Sequence, residues 1–147
     1  MSNLTAQQRA ERCAQIMWDN DAASKGLGIV LERVSPGEAD ASLIVEPKHL
    51  NGHHICHGGF IFTLADTAFA FACNTYNQAA VAQQNSITFT HSGQAGAKLM
   101  AYAKEVSRQG RSGIYDVNVE DDQGVTIAYF RGHSRTIKGT LFDEADQ

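Results

Sequence analysis

Residues 51–73 read NGHHICHGGFIFTLADTAFAFAC, and the last fourteen of them are almost all apolar or small. A bilayer span needs about 20 apolar residues, so this run belongs to a buried element rather than to a membrane helix. A helix over this run would be apolar on nearly every side, which predicts a core helix from the glycine pair 58–59 to about residue 74. Because a carboxylate is almost never fully buried without a partner, Asp66 within this helix needs either a structural partner or a function.

Helical and strand patterns on both sides of this helix predict an α+β fold. Residues 4–20 have apolar positions at loosely helical spacing and predict an N-terminal helix. Alternating or apolar-rich segments predict five or six strands, at 29–34, 39–46, 81–90, 99–107, 112–120 and 125–136, of which the last three form a meander of hairpins. An antiparallel sheet curled around the central helix would bury one face of the sheet and most of the helix.

Length and charge restrict the class of protein. The 147 residues fit one domain, 1–147, whose acidic end at 139–147 we expect to fray. A net charge of −4 with scattered basic residues argues against nucleic-acid binding. The first ten residues are polar and lack an apolar core for export, and the three cysteines are widely spaced. We therefore expect a cytoplasmic protein with free thiols and no membrane segment.

The start of the central helix is a candidate site for stabilising negative charge. First-turn amides have no partner inside a helix and lie at the positive end of its dipole. Glycines at 58 and 59 let a ligand approach that backbone closely. A carbonyl oxygen that gains negative charge would be stabilised there, as in an oxyanion hole. The alternative is that the glycines only shape a loop-to-helix turn, and spacing alone leaves both interpretations open.

Asp66 is the candidate nucleophile or general base, because apolar surroundings can tune a carboxylate for either role. The alternative interpretation is that Asp66 is a structural carboxylate, hydrogen-bonded to a neighbouring amide or threonine hydroxyl. The flanking apolar run favours a function.

The loop before the helix contains residue types that bind zinc or act as nucleophiles, namely His53, His54, Cys56 and His57. Adjacent residues rarely all face one ion, and no second cluster has comparable spacing, so we expect no metal. Nothing in the sequence places a base beside Cys56 or Cys73, which argues against a catalytic thiol. Asn51 precedes a glycine, and on spacing alone this pair indicates a turn.

Three motifs occur in a characteristic order: Leu50-Asn51-Gly52, His57-Gly58-Gly59 and Leu64-Ala65-Asp66-Thr67-Ala68. Together they resemble the hotdog-fold acyl-CoA thioesterases, and more closely their phenylacetate-degradation (PaaI-type) branch. The likeness extends from about residue 20 to residue 134. It implies a curved antiparallel sheet wrapped around one helix and hydrolysis of an acyl-CoA thioester, with an aryl-acetyl-CoA, such as phenylacetyl-CoA or a hydroxylated derivative, or a similar acyl-CoA as the expected substrate. It also implies that no metal or cofactor is needed, and that dimers often pair into tetramers.

The resemblance also implies roles for individual residues. The amide of Gly58, assisted by Gly59, would polarise the thioester carbonyl, while Asp66 activates water or attacks directly. Asn51 and His57 would hold substrate or water. Thr67 would orient the Asp66 carboxylate. Arg108 and Arg111 would contact the phosphates of CoA.

Helix geometry adds an expectation about assembly. Gly58 and Asp66 are eight residues apart, which is about 12 Å of helical rise. A carbonyl bound at one residue cannot also be reached by the other on the same helix, so Asp66 would come from a second copy of the chain across a two-fold axis.

Two rival functions remain: a hotdog-fold acyl-CoA hydratase or dehydratase that pairs His57 with Asp66, and a non-catalytic acyl-CoA sensor.

Overall fold

The computed structural model describes residues 3–146, which form three helices and six strands. The helices are α1 (Ala6–Asp19), α2 (Ala22–Leu27) and α3 (Gly58–Cys73). The strands are β1 (Val30–Ser35), β2 (Glu38–Ile44), β3 (Ala80–Phe89), β4 (Lys98–Gln109), β5 (Ser112–Glu120) and β6 (Thr126–Thr136). Short 3₁₀ turns lie at Pro47–His49 and Glu144–Asp146. Gln147, the last residue of the predicted tail, lies outside the described residues.

The six strands form one antiparallel sheet in the order β1-β2-β4-β5-β6-β3. Helix α3 packs on one face of this sheet and contacts all six strands. This confirms the predicted α+β hotdog architecture with a single central helix. Within residues 3–146, no helix is long and apolar enough to cross a membrane.

The contact between α3 and β6 depends on one glycine. Gly132 faces the ring of Phe69, and a Cβ atom at position 132 would overlap that ring. Phe69 is fully buried and also packs on Tyr115 and Phe130, with ring centroids 5.6 and 5.9 Å apart. A residue without a side chain therefore lets the helix approach the sheet closely.

One face of α3 is not covered within the protomer. Nine residues of this helix are buried, as its apolar composition predicts. A line of partly or fully exposed positions nevertheless runs along it at helical spacing: Gly59, Thr63, Asp66 and Ala70. These four residues are called the open stripe below, and they place Asp66 on the exposed side of an otherwise enclosed helix.

Helix α2 was not predicted, since the sequence patterns indicate a helix at 4–20 and a first strand at 29–34 with no element between them, where Gly26 and Gly28 disfavour a helix. The helix forms because both of its ends are capped. The Asp21 carboxylate accepts a bond from the Ser24 amide at 2.9 Å, and Gly28 adopts φ of +88° at the C-cap. Gly28 therefore ends this helix rather than preventing it.

The expectation that the acidic tail frays is wrong for its described part. The Asn77 side chain accepts bonds from the amides of Leu141 and Phe142 and donates to the Phe142 carbonyl. Glu144 accepts two bonds from the Arg9 guanidinium, at 2.6 and 3.1 Å. The tail is therefore held against α1, since residues distant in sequence supply partners that composition alone does not reveal.

Candidate active site

Helix α3 begins at His57, whose imidazole caps the first turn. Its Nδ1 atom accepts a hydrogen bond from the Gly59 amide at 2.8 Å, and its carbonyl accepts bonds from Phe60 and Ile61. An accepting Nδ1 places the proton of the neutral ring on Nε2. Within the protomer the Gly59 amide is used by His57, and its expected assistance in carbonyl binding stays a prediction.

The Gly58 amide remains open. Within residues 3–146 it donates no hydrogen bond, whereas the next three amides of the helix all do. Gly58 lines a cavity of about 400 Å³, called the α3 N-terminal cavity below, together with Asn51, Ile61 and Phe89. The Phe89 ring lies directly over Gly58, since a Cβ atom there would be 3.0 Å from Cζ. The site thus offers one unpaired donor at the positive end of a helix dipole.

Asn51 holds the loop that precedes α3, and the predicted turn forms here. Its Oδ1 atom accepts bonds from the amides of His53 at 2.9 Å and Ile55 at 3.4 Å, which makes an Asx turn. Its Nδ2 group has no hydrogen-bond partner among the described residues, and Asn51 lines the α3 N-terminal cavity. Asn51 and Gly58 are therefore brought to one cavity, with a donor free on each.

Asp66 lies in the middle of α3 and is half-buried. Its Oδ1 atom accepts a 2.9 Å bond from Nδ2 of Asn85 on β3. Burial raises the pKa of the Asp66 carboxyl, and the bond from Asn85 offsets part of that effect. The eight residues from Gly58 to Asp66 span about 12 Å of one continuous helix, so the protomer does not bring these two groups together.

Asn85 is the residue that the sequence analysis missed. It lies on the helix-facing side of β3, opposite Gly132 of β6. Its Oδ1 atom is buried and has no hydrogen-bond partner in the described protein. A flipped amide would place two acceptors together, so the bond to Asp66 fixes the orientation. One signal is visible in the sequence, a polar residue that alternates on the same side of the strand as Ile87 and Phe89, but nothing there indicates a contact with Asp66.

Within the protomer the Thr67 hydroxyl contacts Ser24 and not Asp66, so its expected role in orienting the Asp66 carboxylate stays a prediction. The Thr67 hydroxyl is 3.1 Å from the Ser24 hydroxyl, which itself donates to the Asp21 carboxylate at 2.8 Å. Thr67 therefore donates to Ser24 and joins α3 to α2. Within the protomer, the side chain that bonds the Asp66 carboxylate is that of Asn85.

Arg108 and Arg111 lie far from Gly58. Both line a second cavity of about 500 Å³ at the other end of α3, beside Cys73. The Arg108 guanidinium lies 3.6 Å from the centre of the Tyr76 ring, and Arg111 donates to the Thr136 carbonyl. The predicted contact of this pair with the phosphates of CoA stays a prediction.

The loop cysteine and histidines do not assemble a reactive group. All three cysteines are buried and free, and burial raises the pKa of the Cys56 thiol to about 11. A thiol with that pKa is protonated near neutral pH and is a poor nucleophile. Among the described residues, no three His, Cys, Asp or Glu side chains are placed to hold a metal ion.

Comparison with known proteins identifies the family. Residues 53–128 match the model of the thioesterase superfamily. The chain is 45% identical to the acyl-coenzyme A thioesterase PaaI of Escherichia coli over 93% of its own length and 98% of that protein.

Solved structures agree with this match. The structure of E. coli PaaI, from the phenylacetic acid degradation operon, superposes with a TM-score of 0.91 at 42% identity, over 92% of this chain and 99% of that one. The TT0310 protein of Thermus thermophilus gives 0.77 at 37% identity, over 80% and 98%. A Streptococcus mutans protein solved with bound acetyl CoA gives 0.72 at 25% identity, over 76% and 90%. The shared fold and the high identity over nearly the whole chain show that this protein belongs to the thioesterase superfamily.

Proposed function

We propose that this protein is an acyl-CoA thioesterase that hydrolyses aryl-acetyl-CoA, such as phenylacetyl-CoA or a hydroxylated derivative, to the free acid and CoA. The observation that carries the proposal is the unpaired Gly58 amide in a cavity, on the same helix as the half-buried carboxylate of Asp66. The 45% identity to the E. coli acyl-coenzyme A thioesterase supports the same reaction. The whole chain, 1–147, acts as one domain.

The thioester carbonyl oxygen accepts a hydrogen bond from the Gly58 amide. Charge that develops on this oxygen is stabilised by the open amide and by the dipole of α3. Asn51 lines the same cavity, and its unpaired Nδ2 group supplies a second donor to the substrate or to the attacking water. His57 acts through the backbone: its bond to the Gly59 amide fixes the first turn and so directs the Gly58 N–H into the cavity.

The carboxylate that completes this site comes from a second copy of the chain. Asp66 lies on the open stripe, which a second α3 packed antiparallel would cover. Strand β3 is an edge of the sheet and exposes Val81 and Phe89 by 46% and 48%, so pairing with another β3 would remove an exposed edge. A two-fold axis through this contact makes two equal sites, and the dimers pair further into tetramers.

Asp66 activates water or attacks the thioester directly. As a base, it takes a proton from water while the water oxygen bonds to the carbonyl carbon. The tetrahedral intermediate then expels CoA as a thiolate that takes up a proton. As a nucleophile, its carboxylate bonds to the carbonyl carbon and expels CoA as a thiolate that takes up a proton, and water then cleaves the resulting anhydride at the Asp66 carbonyl. A single turnover in ¹⁸O-labelled water distinguishes the two, because only the nucleophilic route places an enzyme oxygen in the product.

The release of free thiol from a panel of acyl-CoAs tests the reaction. We expect Asp66→Ala and Asp66→Asn to lose at least a hundredfold in kcat, because general-base catalysis typically contributes that much. Undiminished turnover in both variants would contradict the role of Asp66. Failure of the wild-type protein to cleave any acyl-CoA would overturn the proposed function itself.

The Gly58 amide can be removed without disturbing the helix. Proline is favoured at the first helical position, and His57 already has the extended ψ of 131° that a following proline requires. Loss of one oxyanion donor costs about 10²- to 10³-fold in kcat, and we expect this for Gly58→Pro. Gly58→Ala is the matched control, because it adds the same Cβ beside Phe89 but keeps the N–H. Equal losses in both variants would attribute the defect to crowding rather than to the amide.

Subunit mixing tests the origin of the carboxylate. Inactive Gly58→Pro and Asp66→Ala chains, allowed to exchange, should recover about one competent site for each mixed dimer. No recovery after native mass spectrometry has confirmed exchange would contradict a site that Gly58 and Asp66 of two different chains form together.

A further inference from the structure

His49 is a fully buried polar residue that does not line the α3 N-terminal cavity. It is the last residue of the 3₁₀ turn that precedes the loop to α3. Both ring nitrogens are hydrogen-bonded: Nδ1 accepts a bond from the Glu46 amide at 2.9 Å, and Nε2 lies 2.8 Å from the Leu27 carbonyl oxygen. Because a carbonyl oxygen only accepts, Nε2 carries the proton and the ring is neutral. Backbone groups from two different parts of the chain therefore fix this ring.

The backbone of His49 holds the start of α3. Its carbonyl oxygen accepts a bond from the His57 amide at 2.8 Å. His57 is the N-cap residue, and the peptide group that joins it to Gly58 carries the open amide of the α3 N-terminal cavity. The His49 ring also packs edge-on against Phe60 in the first turn, with ring centroids 5.5 Å apart. The direction of the Gly58 N–H therefore depends on where His49 holds His57.

The same bond places Asn51 relative to Gly58. Because His49 bonds His57, it closes the loop that contains Asn51. Within this loop the Asn51 amide donates to the Ile55 carbonyl at 2.8 Å, so the loop is braced from inside as well. The two proposed donors, the Asn51 side chain and the Gly58 amide, thus depend on one anchor.

Helix α2 connects this anchor to the middle of α3. Leu27, whose carbonyl oxygen binds the His49 ring, is the last residue of α2. The hydroxyl of Ser24 in the same helix lies 3.1 Å from the hydroxyl of Thr67, the residue that follows Asp66. A path of hydrogen bonds therefore runs from the middle of α3 through α2 and His49 back to the start of α3.

We propose that His49 is a positioning residue that directs the Gly58 amide and the Asn51 side chain into one cavity without contacting the substrate. Donors for a developing oxyanion act only when they are held in place beforehand, and a misplacement of about 1 Å can cost about 10²-fold in rate. Loss of the His49 ring bonds therefore lowers kcat, whereas binding of the rest of the substrate, and with it KM, changes little. This assignment rests on the proposed function.

Variants of His49 that differ in their bonds test the proposal by thiol release from acyl-CoA. His49→Phe keeps a ring in the buried space but removes both ring bonds, and we expect it to lose about ten- to hundredfold in kcat, with KM within about twofold of wild type. His49→Gln retains a donor for the Leu27 carbonyl and should recover part of the loss. Unchanged kcat in His49→Phe would overturn the proposal.

Thr75→Val is the matched control for the cost of losing two buried bonds. Thr75 is 1% exposed and lies just beyond the other end of α3. Its hydroxyl accepts a bond from the Gly37 amide at 2.8 Å and donates to the Ala72 carbonyl at 3.0 Å. We expect Thr75→Val to lower the melting temperature but to leave kcat unchanged. An equal fall in kcat in Thr75→Val and His49→Phe would reduce the role of His49 to general stability.

A double variant tests whether His49 acts through the Gly58 amide. Gly58→Pro has no N–H to direct, so the loss caused by His49→Phe should be at least about threefold smaller in Gly58→Pro than in wild type. Losses that simply multiply would show that His49 does not act through this amide, and would contradict the proposal.

Hydrogen exchange of the His57 amide separates this proposal from the proposed function. Measured by NMR, this exchange should be about tenfold faster in His49→Phe than in wild type and unchanged in Thr75→Val, because only the first variant frees the His49 carbonyl to move. Equal exchange in wild type and His49→Phe would overturn the anchoring role. If wild type cleaves no acyl-CoA while the exchange responds as expected, the proposed function fails and the anchoring of α3 by His49 stands.

Discussion

Asn85 donates a 2.9 Å hydrogen bond from Nδ2 to Oδ1 of Asp66, and this bond joins the edge strand β3 to the central helix α3. It is the one bond that the Asp66 carboxylate makes with side chains or backbone of residues 3–146. The Oδ1 atom of Asn85 is buried and has no hydrogen-bond partner among the described residues. The strand proposed to form the interface thus also orients the proposed catalytic carboxylate.

Asn85→Ala should move the acidic limb of the kcat/KM profile to higher pH. The bond from Asn85 stabilises the ionised carboxylate and lowers its pKa, so its loss raises the pKa of Asp66 further. We expect about a tenfold loss of kcat/KM at neutral pH together with the shifted limb, measured by thiol release across a pH series. Asn85→Asp should move the limb further still, because a second carboxylate opposes ionisation.

Gln84→Ala is the matched control for this series. Gln84 is exposed and lies beside Asn85 on the same strand, but it has no contact with Asp66. A limb that moves equally in Gln84→Ala and Asn85→Ala would show that β3 as a whole, rather than the Asn85 amide, determines the pKa of Asp66.

The sequence predicts the architecture well because the decisive signals are local. The all-apolar run of α3 and the alternation in β5 are visible in short windows, and both elements form close to the predicted bounds. The contacts that orient the site are not local. Asn85 is nineteen residues from Asp66 and Ser24 is forty-three from Thr67, and each pair meets only after folding. The same limit explains the error about the tail, since Glu144 pairs with Arg9.

Replacement of the His57 imidazole should affect stability through the helix cap. His57→Ala removes the acceptor of the Gly59 amide, and loss of an N-cap side chain costs about 1 kcal/mol. This corresponds to a fall in melting temperature of about 3 °C for a domain of this size. His57→Asn should restore the melting temperature, because asparagine is a favourable N-cap. Calorimetry of the three proteins would make the comparison, and equal stability of wild type and His57→Ala would contradict a capping role.

Gly132→Ala should destabilise the fold strongly. The new methyl group would overlap the buried ring of Phe69, and overpacking of this kind costs about 1–3 kcal/mol. The free energy of unfolding in urea would measure the loss. Gly52→Ala is the control, because nothing lies within 4 Å of its added Cβ and its φ is not in the left-handed region. Added to Gly132→Ala, Phe69→Leu should recover part of the lost free energy of unfolding. Introduced alone, Phe69→Leu should not stabilise the protein. Simple addition of the two costs would show that they do not act through this contact.

Asp66→Asn should stabilise the protein at neutral pH while it abolishes activity. Burial raises the folded-state pKa of Asp66 above its unfolded value of about 3.9, so the unfolded chain ionises more readily than the folded one. The contribution of Asp66 to stability is therefore full below the unfolded pKa and is lost as pH rises through the raised folded pKa. The asparagine variant has no such loss. Its gain in melting temperature over wild type should be largest near neutral pH and should vanish below about pH 4.

Asp116→Asn supplies a control of opposite sign. The Arg131 guanidinium, which donates two bonds at 2.6 and 2.8 Å, lowers the pKa of Asp116. Its contribution is present above the unfolded pKa and is lost as pH falls through the lowered folded pKa. Asp116→Asn should therefore lower the melting temperature slightly at neutral pH, because exposed ion pairs contribute little. A pH series by differential scanning fluorimetry would compare both variants with wild type. If Asp66→Asn lowers the melting temperature at neutral pH as Asp116→Asn does, Asp66 has a stabilising partner in the assembled protein and is not a carboxylate held at an energetic cost for catalysis.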